Sequence, residues 1–480
     1  MIRYLYTQKK SFPLYFLCIL FFATGFTFFP ADKCFGISNS DYFYRIPPKI
    51  SDGLETASIY EANIDAEKLI DLIHNIRNGS YKNIHSVLLV KGGKLILEEY
   101  FHGFHREKVH QIRSATKSIG SILTGIAIDH RFISGADEKI YPYFKKHETG
   151  KKWDEKVRNI TLETLLTMTS GYDCDDHAIP KFQCEKAMYK TNDWVQYALN
   201  LPMAYNPGEH WAYNSSSLML VSEIISKTSN MTIPDFADTY LFEPLGIKEF
   251  HWGFSPKGRA WLAGNAKMKP RDMAKIGFLM LNSGRWNGRQ IISEKWINES
   301  TMEHVKSKRH EGYGYLWWAG KQLFGEQIIA GCWAAGNGGN YIFVCPALDF
   351  VAVFTGGNYN SILELQPLGM LINYIIPAML PTIPPRQITK PDPKILDSCV
   401  GEYQMQSGQI RVSVFKKGDH LFCRILGKTS QMYPEAEDYF FIPDEVFGDW
   451  TFKVVRNDKN EVTSAIGYAA FQIMPFKKIK

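Results

Sequence analysis

The chain has 480 residues, of which 45% are hydrophobic and 22% charged, a balance that builds a large core and excludes a disordered chain. At this length two or more domains are expected. The formal net charge of +6 is mild, and with no Lys/Arg-rich run or basic-aromatic stripe it argues against a nucleic-acid partner.

Arg3, Lys9 and Lys10 precede an uncharged, Phe- and Leu-rich stretch from Ser11 to Ala31. Residues 1–31 read as a secretory signal, or as an uncleaved anchor, since roughly 18 apolar residues span a bilayer. The expectation is an exported protein, periplasmic or extracellular, with membrane attachment through this segment as the variant. Export permits disulfides. Of eight cysteines, Cys174 and Cys184 flank a polar loop and form the first candidate pair. Cys332 with Cys345 and Cys399 with Cys423 are weaker pairs, equally well read as buried thiols. No cysteine spacing resembles a zinc site.

Residues 32–380 read as one domain. Ile64, Leu69, Ile70, Ile73 and Ile76 give a helix closed by Asn78-Gly79. Ile84–Val90 and Lys94–Phe101 form a hairpin around Lys91-Gly92-Gly93. His102, His105 and His110 follow, read as loop histidines in preference to a metal site, because no further ligand cluster accompanies them. Then comes Ser114-Ala115-Thr116-Lys117, a Ser-x-x-Lys at the start of a helix whose apolar face is Ile119, Ile122, Leu123 and Ile126. The spacing places Ser114 and Lys117 one turn apart on one side. A serine hydroxyl needs such a neighbouring base to act as nucleophile, and a helix N-terminus adds free N–H groups.

Residues 136–240 look mainly helical. Asn206-Pro207-Gly208-Glu209 makes a turn, after which Tyr213-Asn214-Ser215 precedes another helix. From about residue 311 the chain becomes β-rich and aromatic. Short strands are expected at Cys332–Ala335, Tyr341–Val344 and Phe350–Phe354, with Asn337-Gly338-Gly339 in the turn between the first two, where glycines let a backbone approach a ligand. An apolar helix follows at Ile362–Ile376. The prolines within 381–394 mark a linker, and 395–480 alternates as a separate C-terminal β-rich domain. Ser413-Val414-Phe415-Lys416 repeats the Ser-x-x-Lys pattern, but on a strand, where the two side chains fall on opposite faces. Tyr359-Asn360-Ser361 likewise repeats the second element.

The ordered set Ser114-x-x-Lys117, Tyr213-Asn214-Ser215 and Asn337-Gly338-Gly339 resembles the serine β-lactamase and penicillin-binding protein superfamily. The match is to its class C-like branch, with esterases and 6-aminohexanoate-dimer-hydrolase-like enzymes. Thr161–Gly171 (TLETLLTMTSG), Asn206–Ser215 (NPGEHWAYNS), Lys269–Ile276 (KPRDMAKI) and Gly336–Asp349 (GNGGNYIFVCPALD) extend the resemblance. It implies an α/β (α+β) fold, with an antiparallel sheet flanked by helices plus a helical subdomain and the cleft between them. It further implies Ser114 as acylated nucleophile, Lys117 as base or its tuner, and Tyr213 as general acid/base. Ser215 would hydrogen-bond Lys117. Asn337, Gly338 and Gly339 would line the cleft, and the N–H groups of Ser114 and Asn340 would form the oxyanion hole. No cofactor or metal is implied. The expected substrate is a small ester, amide or short peptide. A β-lactamase or DD-peptidase acting on peptidoglycan, and a catalytically weak binding protein, are the alternatives. Where the family often carries Lys or His, Asn337 has no charge to pair with a penicillin-like carboxylate, so weak β-lactam turnover is expected.

Overall fold

The computed structural model describes residues 42–148, 153–177, 184–307, 311–380, 388–406, 408, 410–444 and 448–480. The expected signal or anchor, 1–31, and linker residues 381–387 lie outside the described residues. Nine strands form the main sheet in the order Glu55–Thr56, Lys94–Tyr100, Ile84–Lys91, Phe350–Gly356, Asn340–Cys345, Gln327–Gly336, Trp318–Phe324, Gly312–Tyr313 and Val305–Lys306. Only the first pair is parallel among those pairings. The central strands are apolar on both faces because both faces are covered. Leu88, Val90, Ile342, Val344, Val351 and Val353 enter the core on one side. Val87, Leu89, Tyr341, Phe343, Phe350 and Phe354 enter the core on the other. A side-chain period of two sorts neighbouring residues between these cores.

The first core contains the helices Thr116–Asp129, Leu218–Ser229 and Pro270–Leu281. Thr116–Asp129 was expected to bury one apolar face, yet Thr116 to Ala127 is buried throughout. Of its polar residues, Thr124 Oγ1 donates to Gly120 O at 2.8 Å and Ser118 Oγ to Leu316 O at 2.7 Å, while Ser121 Oγ is buried without a partner. A helix buried all round is positioned from every side, which suits the segment that follows Ser114. Against the other sheet face pack Ala66–Arg77, capped by the Asp65 side chain, and the Ile362–Met379 run. That run is the one described helix long and apolar enough to cross a membrane, and it is mostly buried in the protein core.

Eight antiparallel strands from Gly401–Met405 to Gln472–Lys478 close into a barrel around Tyr403, Val414, Met432, Phe440, Phe452 and Phe476. Closure removes the exposed edges of a small sheet. The barrel is the C-terminal β-domain that the sequence suggested, and it packs against the main sheet. Its hairpin turn at Ala470 and Phe471, both with positive φ, inserts Phe471 beside Trp333 and Phe343, with ring centroids 5.7 and 4.9 Å away. Lys321 N–H donates to Phe471 O at 3.0 Å, and Phe471 N–H to Gln322 Oε1 at 3.2 Å. The second Ser-x-x-Lys lies on the Arg411–Lys417 strand, with Ser413 bonded to Glu402 and Lys416 to Asp397.

Candidate active site

Ser114 sits in a 3-10 turn, Arg113–Ala115, one step before the helix that starts at Thr116. The residue before it, Arg113, has φ +53°. This left-handed conformation is uncommon for a side-chain-bearing residue and occurs where the surroundings enforce it. Ser114 is half-buried, while Lys117 is only 2% exposed. The Lys117 Nζ donates to Ser114 Oγ at 3.1 Å and to the carbonyl of Ala263 at 2.8 Å. It also lies 4.7 Å from the ring centroid of Tyr213. The structure thus brings Ser114, Lys117 and Tyr213 together.

Tyr213 is buried and held as one layer of an aromatic stack. The His177 ring lies parallel at 4.2 Å and the Trp318 ring nearly so at 6.1 Å. Its backbone carbonyl accepts from Asp176 N–H at 2.8 Å. Ser215 was expected to bond Lys117, but the hydrogen bonds of Lys117 Nζ go to Ser114 and Ala263 instead. Ser215 is placed by its backbone: its N–H donates to Asp176 Oδ2 at 2.9 Å, and its carbonyl accepts from Trp261 Nε1 at 3.2 Å. Asp176 is thus a hub beneath this loop, since its other oxygen accepts from Glu185 N–H at 3.0 Å.

The third element departs from expectation. Asn337-Gly338-Gly339 forms the hairpin turn, and its polar groups are engaged by the segment 358–364. The Asn337 amide donates to Asn360 Oδ1 at 2.9 Å and accepts from Asn360 N–H at 2.8 Å. Gly338 N–H donates to Glu364 Oε2 at 3.3 Å. At φ +100°, with the Tyr359 ring where a Cβ would stand, position 338 requires glycine. The repeated Tyr359-Asn360-Ser361 therefore holds the turn in place of serving catalysis.

Asn340, expected in the oxyanion hole, is fully buried and pairs with Gly336 across the hairpin. The free N–H lies elsewhere. Because Lys321 N–H points to the barrel, the alternation of the ladder turns Trp318 and its partner Trp333 toward each other. Trp318 is the first residue of its strand, so two residues beyond Trp333 the Ala335 N–H faces the same edge with no strand opposite. The Ser114 turn occupies that edge's end: a side chain at Gly336 would collide with Ile112 O and crowd Ala115 N–H. The residues missed from sequence are thus Ala335, Gly336, Ala263, Asp176, His177 and Trp318. Of these only Gly336, a glycine closing a strand, carried a readable signal.

Cys174 and Cys184 are joined, with Cα atoms 5.8 Å apart. The other two suggested pairs are not: Cys332, Cys345, Cys399 and Cys423 are buried free thiols. With both sulfurs bonded and Asp176 engaged by N–H donors, the Cys174–Asp176–Cys184 group offers no open ligand set for a metal. His110 Nε2 lies 2.8 Å from His85 Nδ1, a partner the sequence did not reveal. Burial, first of all, pushes both imidazoles down from 6.5 to about 4.

The Beta-lactamase family model matches residues 84–360. An uncharacterised protein of Alkalihalophilus pseudofirmus is 23% identical over 313 residues, 58% of this chain and 84% of that one. The 6-aminohexanoate-dimer hydrolase of Paenarthrobacter ureafaciens is 22% identical over 249 residues, 48% of this chain and 63% of its own length. Among solved structures, the octameric penicillin-binding protein homologue from Pyrococcus abyssi superposes with TM-score 0.50 at 17% identity, covering 86% of this chain and 99% of that one. That likeness carries the fold alone. The family match extends over more than half of the 480 residues, and the chain belongs to the β-lactamase family, among relatives named as hydrolases.

Proposed function

We propose that the protein is a serine hydrolase that cleaves a small ester or amide through an acyl-enzyme on Ser114. The observation that carries this reading is the buried Lys117 amine 3.1 Å from Ser114 Oγ. In its neutral form Lys117 takes the Ser114 proton as Oγ attacks the substrate carbonyl carbon. The tetrahedral oxyanion is held by the N–H groups of Ser114 and Ala335. Tyr213 passes a proton to the leaving alcohol or amine, and the ester Ser114–O–C(=O)R remains. A water molecule then attacks, its proton leaves by way of Tyr213 and Lys117, and the carboxylic acid departs as Ser114 regains its hydrogen. The engaged, uncharged Asn337 supports esters and amides over penicillin-like substrates. The N-terminal segment supports an exported protein.

The test compares hydrolysis of p-nitrophenyl butyrate and nitrocefin by wild type and Ser114→Ala. Ester turnover that Ser114→Ala abolishes, with nitrocefin slow, is expected. Ester turnover that survives in Ser114→Ala contradicts the reading, and nitrocefin turnover matching that of the ester shifts it to a β-lactamase.

A further inference from the structure

The backbone around Tyr213 is gripped from two sides. On one, Ala212 N–H donates to Met168 O at 2.9 Å and Asn214 N–H to Met168 Sδ at 3.4 Å. On the other, Tyr213 O accepts from Asp176 N–H at 2.8 Å, and Ser215 N–H donates to Asp176 Oδ2 at 2.9 Å. The bonds alternate in direction as they do along an extended chain. Met168 is buried in the helical core just after the helix Leu162–Leu166, so its side of the grip is built into the fold. Asp176 lies two residues after Cys174, and its other carboxylate oxygen accepts from the N–H of Glu185, next to Cys184. The carboxylate is thus bonded across the very closure that the buried disulfide makes. The next residue, His177, lays its ring on that of Tyr213 at 4.2 Å and 8°. One short segment therefore holds both the backbone and the ring of the tyrosine.

Bonds to a carboxylate are stronger than those between neutral groups, and a disulfide restricts the chain it closes. Resting on the acyl-enzyme reading above, we infer that Asp176 is the positioning residue of Tyr213, and that the Cys174–Cys184 bond holds Asp176 in place. The Ser114–Lys117 pair is bonded within its own helix turn and does not depend on this clasp. With the two sulfurs unjoined, nucleophile and base stay set, while Tyr213 delivers its proton poorly. The loss then falls on basic leaving groups, which need that proton most.

Two measurements test this. The first compares kcat/KM for phenyl butyrate and p-nitrophenyl butyrate, counting only turnover that Ser114→Ala abolishes. Asp176→Ala, and Cys174→Ser with Cys184→Ser, should each lower turnover of the phenyl ester by roughly tenfold or more and that of the p-nitrophenyl ester by less. Asp176→Asn, which keeps one acceptor oxygen, should retain part. In a Tyr213→Phe background the same changes should cost nothing further, because residues acting through one group are not additive. Equal losses on both esters, or losses that persist with Tyr213→Phe, overturn the inference. Absence of Ser114-dependent turnover on both esters counts against the acyl-enzyme reading, and the second measurement then decides alone. It is hydrogen exchange followed by mass spectrometry. Exchange should quicken tenfold or more in the peptide spanning 213–217 in Asp176→Ala and in the double cysteine variant, and stay unchanged in the peptide carrying Ser114. Unchanged exchange at 213–217 overturns the inference. A double cysteine variant that circular dichroism shows unfolded overturns the role given to the disulfide, and Asp176→Ala, with that bond intact, tests Asp176 by itself.

Discussion

Lys117→Met separates the catalytic from the structural role of the central lysine. Methionine keeps the unbranched apolar length and removes the amine. Two terms oppose each other in the folded state. The Ala263 carbonyl loses its 2.8 Å donor, and a buried acceptor left unsatisfied costs about 1–3 kcal/mol. Against this, Lys117 is 2% exposed and has no carboxylate within ion-pair distance among the described residues. Burying a polar amine carries a desolvation cost of its own, on the order of 1–3 kcal/mol, which the substitution removes. The two terms are of similar size, so the variant should melt within a few degrees of wild type. Ester turnover should fall by roughly a hundredfold to ten-thousandfold, as loss of a general base does. Calorimetric melting beside p-nitrophenyl butyrate kinetics measures both. A Tm several degrees lower would show that Lys117 holds the fold, and retained turnover would remove it from the proton path.

Tyr213→Phe keeps the stack with His177 and Trp318 and should leave Tm nearly unchanged while kcat drops by about a hundredfold or more; an unaffected kcat would remove Tyr213 from the mechanism. The pair of half-buried His85 and buried His110 predicts a pH effect on stability. Both have folded pKa values pushed from 6.5 to about 4, so the unfolded chain binds protons first as pH falls. Their neutral burial is fully tolerated above pH 6.5 and is penalised progressively down to about 4, where the folded state also protonates. Melting temperature should fall across that window, and His85→Gln with His110→Gln should flatten the slope; an equally steep slope in the double variant would refute it. Phe471→Ala, which empties a site 1% exposed between Trp333 and Phe343, should cost about 3–5 kcal/mol in urea unfolding. A cost below 1 kcal/mol would show that the barrel docks by other contacts.

The closeness of Ser114 and Lys117 was legible because their spacing encodes a helix turn. Ser114 and Lys117 must lie one turn apart, and Tyr213, which follows a Pro-Gly turn, lies with its ring centroid 4.7 Å from Lys117 Nζ. The doubly apolar runs at 84–90, 341–344 and 350–354 correctly announced buried strands. Backbone participants were not legible. Ala335 and Ala263 contribute an N–H and a carbonyl that every residue possesses, so only ladder phase and tertiary packing single them out. The same limit misassigned Asn340, whose N–H is directed by the hairpin register, and left Asn337 unconnected to Asn360. The barrel's own fold was visible as alternating strands, but its docking was not, because Phe471 reads as one more hydrophobic in a strand turn.

The most direct test of the central claim is acid-quenched mass spectrometry of the protein mixed with p-nitrophenyl butyrate. A butyryl adduct on the peptide carrying Ser114, accumulating before steady state and absent in Ser114→Ala, is the predicted result. Turnover that proceeds with the adduct on another residue, or that survives in Ser114→Ala, would contradict the account.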